Sequence, residues 1–361
     1  GEIPPENEAA RKKKLNEISK YDNFQMARKI QLNSLYGAMA NSYFRYYDSR
    51  IAEAITLSGQ YIIRRAAQSL DMFLNDLLKT DNEVYSFYTD TDSCYVTLEA
   101  LVRKFYKDKP KEKIVDILDK IGTDQIEPCI ERGMTELANY TNAFEEKIFF
   151  KREVIADRSL WVAKKRYAMN VWDNEGVRYK EPVLKIMGLE IVRSSTPAPV
   201  RDSLKESVRL CLNSDEKTLQ EHVSDAKEKF CGMEPEEIAF PRGCNNLEKY
   251  SSYATIYGHR TPIHVRASLL YNFHIKKHEL THLYEQIQEG DKIKFLYMTI
   301  PNSIQEDVFG FNSKLPPELD LHRYVDYEKN FTKAFLEPLE TILKPLGWHT
   351  EPQASLEGLF V

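Results

Sequence analysis

The sequence predicts an α+β chain. Three observations carry that reading. Hydrophobic spacing is helical over residues 7 to about 41, and again from Ile51 to Leu78, where apolar residues fall at 51, 55, 62, 63, 66, 70, 73, 74 and 77. The period then changes, and two short runs rich in β-branched and aromatic residues flank a tight polar stretch. Beyond Gly188 the texture becomes mainly helical, with a loop-rich interval. At 361 residues the chain has the length of roughly two to three domains.

The elements follow in order. Pro4-Pro5 is a start signal for the first helix, and Ile51–Leu78 forms the second. Val84-Tyr85-Ser86-Phe87-Tyr88-Thr89 and Ser93-Cys94-Tyr95-Val96-Thr97-Leu98 read as a β-hairpin turning at Asp90-Thr91-Asp92. Residues 112–141 read as helix, 146–156 and 160–172 as two strands, and Asp173-Asn174-Glu175-Gly176 as a turn. Ser194-Ser195-Thr196-Pro197-Ala198-Pro199 is a breaker and then a helix start. Helices are predicted over 199–212 and 215–230, loops over 231–262, a helix over 263–288, a turn at Glu289-Gly290-Asp291 and a strand at 292–299. A last helix is predicted over 322–345, followed by an irregular tail.

Composition narrows the function classes. Gly 14 and Pro 16 exclude a collagenous or low-complexity chain. No stretch approaches the ~18 apolar residues of a membrane span, and the polar start GEIPPENEAARKKK has no apolar signal core, so a cytoplasmic protein is expected. Five cysteines without a CxxC pair argue against a zinc ribbon or a disulfide framework. Net charge is −5, yet Arg11–Lys29 holds seven Lys/Arg against two acids, and Lys151–Tyr167 holds six against two. Basic islands on an acidic background hold phosphates in one place without coating the whole surface in them.

The sharpest chemical feature is Tyr88-Thr89-Asp90-Thr91-Asp92-Ser93. Two carboxylates one residue apart at a turn would repel if bare, and divalent cations remove that conflict. Mg²⁺ takes hard oxygens, commonly one or two carboxylates plus substrate phosphates. Two such ions can activate an attacking oxygen and steady a leaving one. The bland reading is a turn that merely favours Asp. A calcium EF-hand loop fails because its sixth position, here Tyr95, must be Gly. A phosphatase of the haloacid-dehalogenase type also uses DxD, but Cys94 stands where it wants Thr or Val, and no βαβ series follows.

Lys29, Asn33 and Tyr36 are spaced i, i+4, i+7 and share one helix face. A cation, an amide and an aromatic there could hold a triphosphate, a sugar and a base, and Gly37 lets a base pair approach.

Together, and in this order, these motifs resemble family B DNA polymerases. Lys29-x-x-x-Asn33-Ser34-x-Tyr36-Gly37 is similar to their fingers motif and Asp90-Thr91-Asp92-Ser93 to their palm motif. Lys164-Lys165-Arg166-Tyr167 is similar to the element that grips the primer. Leu184-Lys185-Ile186-Met187-Gly188-Leu189-Glu190 and Ser194-Ser195-Thr196-Pro197 are similar to segments that open the thumb in polymerases of large tailed phages. The resemblance implies a C-terminal fingers helix (1–41), a palm of antiparallel sheet with packed helices (42–188) and a mainly helical thumb with a clamp-binding tail (189–361). It implies DNA-templated nucleotidyl transfer with two Mg²⁺, primer-template DNA and a dNTP. Asp90 and Asp92 are the implied catalytic and metal residues, with Glu153 a third acid. Lys29, Asn33 and Tyr36 are implied to bind the nucleotide. Gly37, Lys164, Lys165 and Tyr167 are implied to contact DNA.

The resemblance also exposes a gap. The family's other metal-binding aspartate, in a D-x-x-S-L-Y-P-S-like strand, has no counterpart here, nor do the exonuclease acids and first fingers helix. An N-terminal polypeptide carrying them is the expected partner. Thr89 and Ala40 stand where the family often has Gly. The tail places Leu356, Leu359 and Phe360 at an apolar end similar to a sliding-clamp peptide, with Gly358 replacing an apolar residue. A non-catalytic DNA- and clamp-binding module is the rival reading. His274, His278 and His282 at i, i+4, i+8 read as a solvated helix face, and Trp161, Trp172 and Trp348 as packing.

Overall fold

The computed structural model describes residues 5–352, so the tail residues Leu356, Leu359 and Phe360 lie outside the described residues. The architecture is α+β, and the chain divides into two compact units, Gly1–Arg152 and Glu153–Val361.

The first unit opens with α1 (Pro5–Met39) and α2 (Ser49–Leu78). α1 lacks an apolar stripe: Leu15, Ile18, Phe24, Ile30, Leu32 and Leu35 are all exposed. α2 has one, burying Ala52, Ile63, Ala66, Leu70, Leu74 and Leu78. Its start is fixed by Asp48, whose carboxylate accepts from the Arg50 backbone N–H at 2.9 Å. The Arg50 side chain beside it draws the Asp48 pKa down to about 2. The hairpin follows as β1 (Tyr88–Asp90) and β2 (Ser93–Tyr95), then α3 (Glu99–Phe105), α4 (Lys111–Ile121), a π-turn at Gly122–Ile126 and α5 (Glu127–Tyr140). Ala66 and Leu70 of α2 pack on Ile130 and Met134 of α5. Leu74 and Leu78 pack with Tyr85 and Leu101.

The second unit starts with an antiparallel sheet of β3 (Val154–Ala163), β4 (Arg166–Asn174) and β5 (Val177–Met187), with β4 in the centre. Helices α6 (Ala198–Asn213) and α7 (Glu216–Cys231) follow, then short α8 (Pro235–Ile238), β6 (Phe240–Gly243), α9 (Leu247–Tyr250) and the pair β7 (Ser251–Ser252) and β8 (Ile256–Tyr257). α10 (Ile263–Lys277) packs on a sheet ordered β10–β9–β6, where β9 is Lys292–Tyr297 and β10 is Val308–Phe311. α11 (Tyr327–Phe331) continues through a π-turn at Thr332–Leu336 into α12 (Glu337–Leu343). One core joins these elements, with Phe309, Phe311, Phe331 and Phe335 among its fully buried side chains.

Several boundaries differ from the sequence reading. The strands expected at 146–156 and 160–172 are β3 and β4, which start later and turn at Lys164-Lys165, because Lys165 adopts φ +62°. β5, β10, β6 and α3 were not expected. The helix expected to reach 288 stops at Lys277, since Glu279 is left-handed (φ +58°) and Asn272 bonds the Ile287 backbone N–H and C=O at 2.8 Å each. The three histidines therefore do not share a helix. His274 is buried, not solvated, and its ring lies over His278. The last helix begins at Tyr327 rather than 322, where Asp326 accepts from the Lys329 backbone N–H.

Gly188 closes the β3–β5 sheet against its own hairpin turn. It has φ +64°, and a Cβ there would lie 2.0 Å from the Lys165 carbonyl oxygen. Gly188→Ala is expected to destabilise the chain by about 2–4 kcal/mol, since strain and a backbone overlap add. Gly243→Ala, with open space around it, is expected to be near neutral. Thermal unfolding of the two variants checks this, and equal melting temperatures would contradict it.

His274 generates a second expectation. Burial first, and then the charges of Lys277 and His278, push its pKa from 6.5 down to about 4, and its Nδ1 is buried without a hydrogen-bond partner. The unfolded chain takes up the proton near 6.5 and the folded chain only near 4. The stability is therefore fully present above pH 6.5 and is lost as pH falls towards 4. The loss is on the order of 3 kcal/mol. In urea titrations at pH 7 and 4.5, His274→Leu is expected to remove most of that acid slope. An unchanged slope would exclude His274 as its source.

Candidate active site

The two acidic side chains of the hairpin are held by a minimal ladder. Tyr88 pairs with Tyr95, Thr89 with Cys94 and Asp90 with Ser93. The turn is closed by the Asp92 N–H donating to the Asp90 carbonyl at 2.6 Å and by Ser93 Oγ donating to the same oxygen at 3.1 Å. Thr91 sits left-handed at φ +54°, an uncommon setting for a β-branched residue. Its hydroxyl donates to Asp90 Oδ1 at 3.0 Å. Asp90 is half-buried and Asp92 exposed. The tyrosine rings of the first pair lie 5.4 Å apart across the strands.

The strands are three residues long rather than the six expected from the β-rich runs. Asp71 of α2 explains the shortening on the entry side: its Oδ1 accepts from the backbone N–H groups of Tyr85 and Ser86 at 2.9 and 2.8 Å. Those amides face a helix side chain instead of a partner strand. Asn75, one turn on, accepts from the Glu83 N–H at 3.0 Å and donates to the Glu83 carbonyl at 2.8 Å. Burial and the Asp71 charge push the Cys94 thiol up to about 11, so it stays protonated and is a poor metal ligand beside the tip.

Lys29, Asn33 and Tyr36 lie along α1 with their side chains exposed, and Gly37 has open space where a side chain would be. Lys164 and Lys165 form the exposed tip of the β3–β4 hairpin. Tyr167 is 6% exposed and stacks on Trp161 with ring centroids 4.3 Å apart. The sequence reading missed Trp161 as the support of that tip, although its alternation with Tyr167 across a hairpin was available as a signal. Glu153 opens the second unit, exposed, and Lys185 donates to it at 3.2 Å.

Paired carboxylates at an accessible tip supply the hard, anionic oxygens that Mg²⁺ takes, and they leave room for substrate phosphates. The donor set fits that ion. Among the described residues no group of three or more His, Cys, Asp or Glu side chains gathers as a metal cluster. No described helix is long and apolar enough to cross a membrane.

Residues 7–106 match the family described as DNA polymerase family B. The chain is 37% identical over 350 residues to the DNA-directed DNA polymerase of Escherichia phage RB69, covering 93% of this chain and 38% of that protein. It is 34% identical over 350 residues to the DNA-directed DNA polymerase of Enterobacteria phage T4, with the same two shares of 93% and 38%. A DNA polymerase of Pyramimonas orientalis virus is 24% identical over 176 residues, 48% of this chain and 12% of that protein. The chain thus spans 38% of the length of the two phage relatives.

Proposed function

We propose that this chain, similar to the family B DNA polymerases of phages RB69 and T4, serves DNA-templated nucleotidyl transfer as part of such a polymerase. In that reaction a primer 3′-OH attacks the α-phosphate of a dNTP and pyrophosphate leaves. The observation that carries the reading is the Asp90–Asp92 tip, two carboxylates held one residue apart on a closed antiparallel turn.

The roles follow from the chemistry of each group. Lys29 neutralises triphosphate charge, Asn33 donates to it, and Tyr36 packs against the nascent base pair, with Gly37 leaving space. Lys164 and Lys165 neutralise primer phosphates, and Tyr167, stacked on Trp161, steadies their turn. Asp90 and Asp92 would hold two Mg²⁺ ions. When bound, these ions stabilise charge on the attacking and leaving oxygens. Residues 1–41 act as the C-terminal fingers helix, 42–188 as palm and 189–361 as thumb, working in the cytoplasm of a host cell.

The reading includes a companion. The family's remaining metal-binding aspartate and its exonuclease acids have no counterpart in this sequence. α1 adds support: a helix with apolar side chains exposed along its length requires cover. In this proposal the remaining palm strand and the first fingers helix come from polypeptide outside the given sequence. The phosphatase reading loses ground because every described sheet is antiparallel, whereas that class is built on parallel βαβ units.

Without the companion the chain is expected to give no templated extension with Mg²⁺, and adding the companion restores it. In the restored enzyme Asp92→Ala should lower extension by about 10³-fold or more, ~4 kcal/mol of barrier, with DNA binding kept. Lys29→Ala should chiefly raise the dNTP concentration required. Primer-extension assays read all of these. A loss under about tenfold for Asp92→Ala sinks the metal role. Duplex binding that never becomes extension favours the non-catalytic module.

The tail supplies a separate expectation. Leu356, Leu359 and Phe360 would anchor a sliding clamp, with Glu351-Pro352-Gln353-Ala354 as tether. Deleting residues 355–361 should leave distributive synthesis intact and remove clamp-stimulated processivity. A lower melting temperature with processivity unchanged would instead mean that the tail packs on its own unit.

A further inference from the structure

We propose that Asp71 is a positioning residue for the Asp90–Asp92 tip, fixing the strand that leads into it; the inference rests on the metal-site reading above. The tip cannot fix itself. Its ladder has three residue pairs, and an isolated two-stranded hairpin is marginal in water. A slip of one residue would turn Asp90 to the opposite face.

Asp71 supplies the missing constraint. It lies on α2 between Leu70 and Leu74, which are 2% and 0% exposed, so its backbone is anchored in the core of the first unit. Oδ1 accepts from the Tyr85 and Ser86 backbone N–H groups, and Oδ2 accepts from Ser86 Oγ at 2.7 Å. The Tyr85 carbonyl in turn accepts from the Thr97 N–H at 2.9 Å. Tyr85 is therefore gripped from both sides, by α2 and by the segment leaving the hairpin. Ser86 stands two residues before β1 (Tyr88–Asp90), in a turn closed by the Phe87 N–H donating to the Tyr85 carbonyl at 3.1 Å. Holding that turn in place fixes where the strand that carries Asp90 begins.

A side chain with two acceptor oxygens suits this task, because two adjacent backbone amides and a hydroxyl converge on it. The requirement is for acceptors in place, not for charge. Asp71→Asn keeps Oδ1 for the two amides, and its NH₂ can donate to Ser86 Oγ. Asp71→Ala keeps neither. That pair of variants separates position from electrostatics.

The test uses the full chain and terbium(III) as the metal probe. Tyr88 and Tyr95 beside the tip should sensitise its emission. Wild type should show saturable emission, competed by Mg²⁺ and lost in Asp92→Ala. Asp71→Ala should raise the half-saturating terbium concentration at least fivefold, and Asp71→Asn should stay within twofold of wild type. Asp71→Ala titrating with wild type overturns the proposal, as does Asp71→Asn weakened as much as Asp71→Ala. Should Asp71→Ala fail to fold, Asp71→Asn together with amide hydrogen exchange decides. The Tyr85 and Ser86 amides should exchange slowly in wild type and in Asp71→Asn, and fast exchange in wild type overturns the clamp. Emission that ignores Asp92→Ala would sink the metal reading and the positioning role with it, while slow exchange would still register the clamp as structure.

Discussion

Two like charges held one residue apart, on a turn exposed to water, are the constraint that the first unit serves. Asp90 and Asp92 gain nothing from each other's company, and their own ladder is too short to hold them. The rigidity comes from behind the tip. α2 buries Ala66, Leu70, Leu74 and Leu78 against α5 and the chain around Tyr85. On the same helix Asp71 and Asn75 take up the backbone groups of Glu83, Tyr85 and Ser86. Apolar burial anchors the helix, and polar side chains anchor the chain that leads into the hairpin. Electrostatic repulsion at the tip is thus opposed by packing at its base.

The second unit solves a related problem with cations. Lys164 and Lys165 are exposed at a tight turn, where each would move freely on a loop. Three features stiffen that turn. Lys165 takes the left-handed conformation, Tyr167 stacks on Trp161, and Gly188 lets the chain after β5 press against the Lys165 carbonyl. Both charged tips are therefore borne on antiparallel hairpins whose side-chain supports lie behind the turn.

Periodicity made α2 legible. α2 carries a clean apolar stripe and was read to within two residues at its start. The hairpin was legible because β-branched and aromatic runs flank a polar turn. What escaped was set by interactions distant in sequence. The shortening of the hairpin depends on Asp71, fourteen residues before Tyr85. The end of α10 depends on Asn272 reaching Ile287. The β3–β4 turn depends on a positive φ at a lysine, which no propensity favours. Motif residues stand out in the sequence because chemistry restricts their types. Asp71 and Trp161 do not, because an acid on a helix face and a tryptophan in a strand are ordinary in isolation.

The same distinction explains why the two units reveal their function unequally. Asp90 and Asp92 look costly where they stand, and a costly arrangement invites a chemical reason. His274 looks just as costly, a polar ring with a buried unpartnered nitrogen, but it sits among Phe309, Phe273 and His278 with no acid or cation beside it except Lys277 and His278 of its own segment. Its neutral form suits that setting, and burial first, with the charges of Lys277 and His278 after it, accounts for its lowered basicity. A strained group becomes evidence of function when its surroundings leave an open, charged demand at the surface. The carboxylate tip is exposed at Asp92, the setting in which the proposed metal role would arise. The histidine leaves no such demand, and its cost is offset by the aromatic packing around it.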